Sequence, residues 1–469
     1  GGCIAGLYAQ NNTVALGEWR SHLAYATSIG IEQSEDAVFF ATSESVLKVN
    51  KEDQSLEYIN KVTGTSDMRI QTLAYHKSEQ LLILAYLNGN IDLIYDNGTV
   101  VNLPAIFNNN IIIDKTVYQI HPEGKKIYFS CAFGLTVYDL DIEEFSQTTF
   151  TPVEVYGCTQ LNNTLYMSTG QGIYAGVLDG RNLLDFTIWE RQRQNFPTVY
   201  DSRNIIRFNN KLYADVDNEM YVYDQTTGWQ TMSGTDLNTQ TMFTRWRPSG
   251  NSDFINNYDF SLSYNEDFLV VTSRSPKYFL INAAQEVQTF DYPGSWRVVE
   301  MAIDQAGVRW AADNGYLHRD GVYVEPNAPK TNTIADMHTD EDGTLWLANA
   351  GYDGIRARFD DAGFSQYKEG IWKRFNEENY PPMDTFFDAI RVVSNPTTNK
   401  IYISSFMSGV LEYDPAADAV TSYDQYTPNA PFEGVNGDNL RTRVQGIAVD
   451  DDGNVWATLT EAASTSLVV

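Results

Sequence analysis

Short apolar runs recur along this chain, each followed by a turn of small or polar residues and then a second run that often ends Tyr-Asp. The copies are AVFFATSESVLKVN (37–50), LLILAYLNGNIDLIY (81–95), KIYFSCAFGLTVYDL (126–140) and TLYMSTGQGIYAGVL (164–178). They continue as KLYADVDNEMYVYDQ (211–225), FLVVTSRSPKYFLIN (268–282) and KIYISSFMSGVLEYD (400–414). A run too short for a helix, rich in Val, Ile, Tyr and Phe and bounded by turn residues, predicts a strand. Each copy therefore predicts two strands joined by a hairpin.

Three further segments align without gaps: Asp304-Gln-Ala-Gly307-Val-Arg-Trp310, Asp340-Glu-Asp-Gly343-Thr-Leu-Trp346 and Asp450-Asp-Asp-Gly453-Asn-Val-Trp456. In this spacing Asp bonds backbone amides across a tight turn, Gly takes a positive φ, and Trp begins a buried strand. A second turn follows, as at Asp313-Asn314-Gly315. A tryptophan in a polar strand recurs between copies, at Trp19, Trp189, Trp229 and Trp372. These tryptophans predict an outermost, half-exposed strand.

The copies number ten, and their starts fall about 36–57 residues apart, near the period of a four-stranded propeller blade. The predicted fold is all-β: tandem β-propellers, the first seven-bladed and the second incomplete. The expected parts are a signal-peptide remnant at 1–10, a first propeller over 11–328 and the start of a second over 329–469 with about three blades. Because Trp19 precedes any inner strand, its segment is expected to complete the seventh blade, near 298–325, as a displaced outer strand. The chain ends within a copy, which suggests truncation.

Composition narrows the function. Basic residues number 32 against 61 acidic, a net charge of −29. Nucleic-acid binding needs a basic footprint, and no Lys/Arg cluster supplies one. No apolar stretch is long enough to span a membrane. The start, GGCIAGLYAQ, reads as the tail of a secretory signal cleaved near Ala9. Cys3, Cys131 and Cys158 lack metal-ligand spacing, and the latter two fall in strand-like runs, as buried thiols do.

Candidate chemistry is sparse. His22, His76, His121, His318 and His338 form no metal-binding motif. The Asp-rich turns at 338–349 and 448–459 hold Asn349 or Leu459 where a calcium loop needs a bidentate Glu. They also lack the flanking Ser and Thr of a sialidase Asp-box. Gly170-Gln171-Gly172 lies between two strands without a helix or a Lys-Ser/Thr, so it is a hairpin turn and not a phosphate loop. No catalytic, cofactor-binding or metal residue is assigned.

The Asp-x-x-Gly-x-x-Trp copies resemble two-component regulator propeller repeats. More specific is Gly17-Glu18-Trp19-Arg20-Ser21-His22-Leu23-Ala24-Tyr25, which resembles the opening of the PorZ family of the type IX secretion system. The stretches 61–67, 81–95, 131–140 and 183–189 extend that resemblance. It implies two propellers followed by a small C-terminal β-domain, displayed on the outer face of the outer membrane beside a sortase and its partners. The implied role is a non-enzymatic adaptor that helps attach secreted cargo to anionic lipopolysaccharide. That glycolipid contact belongs to the C-terminal domain, which is not visible in this sequence. The alternatives are a ligand-sensing periplasmic ectodomain of a hybrid two-component regulator and a carbohydrate-active propeller enzyme. A downstream membrane span would mark the first alternative, and carboxylates and arginines converging in a central pocket the second.

Overall fold

A computed structural model describes residues 19–110, 112, 114–217, 219–232, 259–272, 276–293, 298–313, 315–354, 356–438 and 440–469. The expected leader remnant at 1–10, Cys3 and Asn314 lie outside the described residues. Two compact units form: Thr27–Glu325, and Pro326–Val469 together with the segment ending at Ala26.

Among the described residues of the first unit, seven antiparallel sheets of four strands follow one another, each pairing its strands in chain order. Their innermost strands are Ser28–Gln33, Ile70–His76, Val117–Glu123, Val155–Leu161, Ser202–Phe208, Asp259–Leu262 and Glu300–Ile303. Each lies against the next, and the seventh returns to the first, so seven blades close a ring. At the seam the Ile31 amide donates to Glu300 Oε2 (2.9 Å), and Gln33 Nε2 donates to the Ile303 carbonyl (3.0 Å). Gly30 makes this approach possible, since a Cβ there would lie 2.8 Å from both Glu300 Oε2 and Leu73 Cδ2.

The apolar runs follow from where the core sits. It lies between blades. On the second strand of the second blade, Leu81, Ile83 and Ala85 pack toward the third blade, while Leu82, Leu84 and Tyr86 pack toward the first. The third blade repeats the division: Ile127, Phe129 and Cys131 face one neighbour and Tyr128 the other. A strand covered on both faces needs apolar residues at every position. Ala37–Thr42 and Leu81–Tyr86 are accordingly buried throughout, whereas the outermost Glu144–Phe150 is largely exposed.

Among its described residues the second unit holds three blades: strands within Asp336–Phe375, within Ala389–Tyr423, and a three-stranded sheet within Val444–Val468. The first of these carries an inserted hairpin, Tyr352–Asp353 paired with Arg356–Ala357.

Among the described residues the expected outer strand at Trp19 is not formed. The seventh blade supplies its own, Val322–Tyr323, paired with Leu317–Arg319. Residues 19–27 carry no strand, and Trp19 is exposed. The segment is held instead by the second unit: the Ala24 amide donates to Asn332 Oδ1 (2.8 Å), and Trp372 Nε1 donates to His22 Nδ1 (3.1 Å). Nor are the other tryptophans uniformly half-exposed. Trp372 is, on the outer strand Ile371–Phe375. Trp229 lies on Gly228–Thr231 but is buried among Tyr166, Tyr221 and Ile205. Trp189 precedes its strand and is buried, its indole donating to the Leu183 carbonyl (3.0 Å).

Candidate functional site

The repeated Asp-Gly-Trp turns are built alike. In each, the Gly amide donates to the Asp carbonyl, and Gly307, Gly343 and Gly453 have φ near +80° (80°, 83° and 82°). One carboxylate oxygen caps the turn, accepting from the amides of Val308, Thr344 or Asn454. The other accepts the indole N–H two strand-ends away: Trp310 to Asp304 (3.0 Å), Trp346 to Asp340 (2.8 Å) and Trp456 to Asp450 (2.8 Å). This second bond was not read from the sequence, although a six-residue Asp-to-Trp spacing held in three turns is a signal for it. The indole bond comes first among the causes that hold Asp450 down at about 2. Both oxygens serve the fold, so these turns are packing devices.

The other sequence candidates are placed apart. Gly170–Gly172 is a hairpin turn between Thr164–Thr169 and Gly172–Val177, and Gly172 takes φ +111° against the Tyr200 ring. Cys131 and Cys158 are buried free thiols, and burial pushes Cys158 up to about 12. His318 Nε2 meets Asp313 at 3.1 Å, His338 Nε2 meets Ser394 Oγ at 2.7 Å, and His76 Nε2 meets the Gly124 carbonyl at 2.7 Å. Among the described residues no group of three or more His, Cys, Asp or Glu is arranged to hold a metal ion, and no helix is long and apolar enough to cross a membrane.

A cavity of about 540 Å³ occupies the central channel of the seven-bladed unit. The inner strands run in the same sense around it, so strand starts frame one mouth and strand ends the other. At the first mouth Arg203 bonds Asp201 Oδ2 (2.8 Å) and lies 4.3 Å from the centre of the Tyr156 ring. Tyr118 packs edge-on against Tyr156, and both hydroxyls donate to Glu154.

At the second mouth Arg207 grips Glu123 with two bonds (3.2 and 3.0 Å) and donates to the Gln160 carbonyl (3.0 Å). His121 Nε2 stands 3.7 Å from Glu123 and has no hydrogen-bond partner. Burial, then the Arg207 charge, pushes the His121 ring down to about 4, so the imidazole is neutral at physiological pH and the contact is not an ion pair. Lys77 donates to the Tyr264 carbonyl (2.8 Å), with Glu266 3.9 Å away. Glu32 lines the wall between these groups, and burial raises its carboxyl to about 7 despite the nearby Lys77. By accessible surface Glu32 is only half-buried, open to the channel and crowded by its walls. The channel does gather carboxylates and arginines, but each arginine is already committed to its own carboxylate.

Comparison with known proteins agrees with this architecture. Residues 38–190 match the family described as the PorZ N-terminal β-propeller domain, from the first blade through the fourth. A solved structure of PorZ, described as an essential bacterial surface component of the type-IX secretion system of Porphyromonas gingivalis, matches with a TM-score of 0.76 at 20% identity. The match covers 94% of this chain and 57% of that one, so the chain spans little more than half of that protein's length. The extracellular domain of the putative hybrid two component system BT3049 from B. thetaiotaomicron gives a TM-score of 0.45 at 11% identity, covering 94% of this chain and 58% of that one. No curated protein matches. In fold the chain is PorZ-like across its blades, and its residues 38–190 match the PorZ N-terminal propeller domain itself.

Proposed function

We propose that this chain is the propeller scaffold of a PorZ-like surface component of the type IX secretion system, acting without catalysis as an adaptor that supports sortase-mediated anchoring of secreted cargo. The family match over 38–190, continued by a shared fold over 94% of the chain, carries this reading. Closed blades offer rigid faces whose loops are free to vary, which suits a hub for protein partners. The commitment of Arg203 to Asp201 and of Arg207 to Glu123 supports a non-enzymatic role, because a hydrolase that bound a carboxylated sugar would need those guanidinium groups free. The protein would be exported and held at the outer-membrane surface. With a net charge of −29, the propellers would repel an anionic glycan, leaving glycolipid contact to another part of the assembly.

The test is affinity capture of the full-length protein, tagged at its own locus, from cross-linked intact cells. Components of the surface secretion machinery, the sortase among them, are expected in the eluate. Deleting the gene is expected to shed cargo into the medium. If neither is seen, the adaptor reading is wrong.

A further inference from the structure

We propose that His22 is an acid-sensitive clasp: neutral, its ring holds residues 19–23 against the first blade of the second unit, and protonated it releases them about a hinge at Ala24. The inference is independent of the adaptor reading, because it concerns how one segment of the chain is held and not which proteins the blades meet.

Three observations carry it. First, the direction of one hydrogen bond fixes the charge of the ring. An indole N–H donates and cannot accept, so Trp372 Nε1, 3.1 Å from His22 Nδ1, is the donor. His22 Nδ1 accepts through its lone pair, which leaves the proton of the neutral ring on Nε2. An imidazolium carries N–H on both nitrogens, and a proton on Nδ1 would point at the Trp372 N–H. The bond therefore exists only while the ring is neutral.

Second, the hold on the segment changes in kind just past His22. The ring stands edge-on to Tyr367 (centroids 4.9 Å apart) and to Trp372 (5.5 Å). Those two residues face each other across the strands Phe364–Lys368 and Ile371–Phe375, so His22 is seated on one aromatic step of the blade. Trp19, Arg20 and Ser21, which precede it, are exposed. Ala24 and Tyr25, which follow it, are 1% and 4% exposed, and the Ala24 amide is bonded to Asn332. Burial and an amide side chain do not titrate between pH 8 and pH 5. Loss of the His22 bond thus frees the segment as far as Ala24 and leaves the rest in place.

Third, the surrounding charges oppose a proton on the ring. Arg20 lies on its own segment. On the two strands beneath, Lys368 donates to Asp342 (2.6 Å) and Lys373 to Asp418 (2.7 Å), while Glu369 in the turn between them acts on Lys368. The cover given by the aromatic rings, then the Arg20 charge, holds His22 below its ordinary 6.5. The clasp is accordingly complete above pH 6.5 and weakens as pH falls below it. By accessible surface His22 remains exposed, so water can deliver the proton.

The experiment places a nitroxide label at Ser21→Cys in a chain carrying Cys3→Ser, whose remaining thiols Cys131 and Cys158 are buried, and reads its mobility. From pH 7.5 to pH 5 the ratio of held to mobile label should fall about two- to tenfold, the worth of one hydrogen bond, and recover on return. His22→Gln, whose side-chain carbonyl accepts the indole N–H at either pH, should keep the label held at both. Should the glutamine fail to hold it at pH 7.5, the unmutated His22 decides: the indole signal of Trp372 in a ¹⁵N–¹H spectrum is expected to shift in step with the release. Far-UV circular dichroism should be the same at the two pH values, which makes the change local. The proposal is overturned by a label equally held at both pH values, by the same acid release in His22→Gln, by an indole signal that does not follow the release, or by a coincident loss of strand signal.

Discussion

Two residues of the channel wall give stability opposite dependences on pH. Glu32 takes up its proton near pH 7 in the folded protein, where an ordinary glutamate does so at 4.5. Between those values the folded state binds more protons than the unfolded chain, so stability falls as pH rises and levels off above about 7. His121 has the opposite sign. Its ring is held at about 4 against an ordinary 6.5, so its contribution is complete above 6.5 and is lost as pH drops toward 4. Glu32→Gln removes the first slope alone. Relative to the parent, the variant should gain stability between pH 5 and pH 8, by at most about 3 kcal/mol, since the carboxyl is open to the channel on one side. Thermal unfolding at both pH values measures it, and a gap that does not change with pH would show that Glu32 is not held protonated.

At the scale of the element, the Asp-Gly-Trp turn gives one motif in three degrees of burial. Trp310 and Trp346 are 0% and 1% exposed, and Trp456 is 37% exposed. Replacing either of the first two by Ala should cost about 3–5 kcal/mol, whereas Trp456→Ala should cost clearly less, with all three losing the same indole-to-carboxylate bond. Denaturant melts of the three variants test the order, and equal losses would mean that the bond and not ring burial dominates.

The same scale shows what could be read from sequence. The blades were legible because a strand packed on both faces is apolar at every position, as Leu81–Tyr86 is, and few other settings produce that run between turns. Trp19 misled because Gly-Glu-Trp-Arg has the composition of an outer strand such as Gly228–Thr231, while the partner of a strand is a tertiary fact. The channel cluster was hidden for a related reason. Glu123 and Arg207 stand 84 positions apart and meet only when blades three to five are set side by side. Each is a charged residue at the end of an inner strand, so aligning the copies strand by strand is the operation that would have paired them.

For the ring as a whole, the joint between the seventh and first blades is the one place where continuity of chain does not help. Glu300 carries part of that joint through the Ile31 amide. Glu300→Ala should therefore lower the unfolding temperature of the seven-bladed unit and raise amide exchange first in Ser28–Gln33 and Glu300–Ile303. Protection in the third and fourth blades should stay as in the parent; uniform loss around the ring would mean that the seam is no weaker than any other joint.

Because the seventh blade is completed by Val322–Tyr323, each blade of this ring is, among the described residues, cut from one stretch of chain. Ser28 Oγ already touches the Asp313 carbonyl across the seam, so the beginning and end of the ring are neighbours. The order in which the blades are read out is then separable from the object they make. A circular permutation that opened the chain at another interblade loop and joined the present ends would exchange one seam for another and rebuild the same ring. By the same logic, duplicating a blade during evolution would require no strand to change hands.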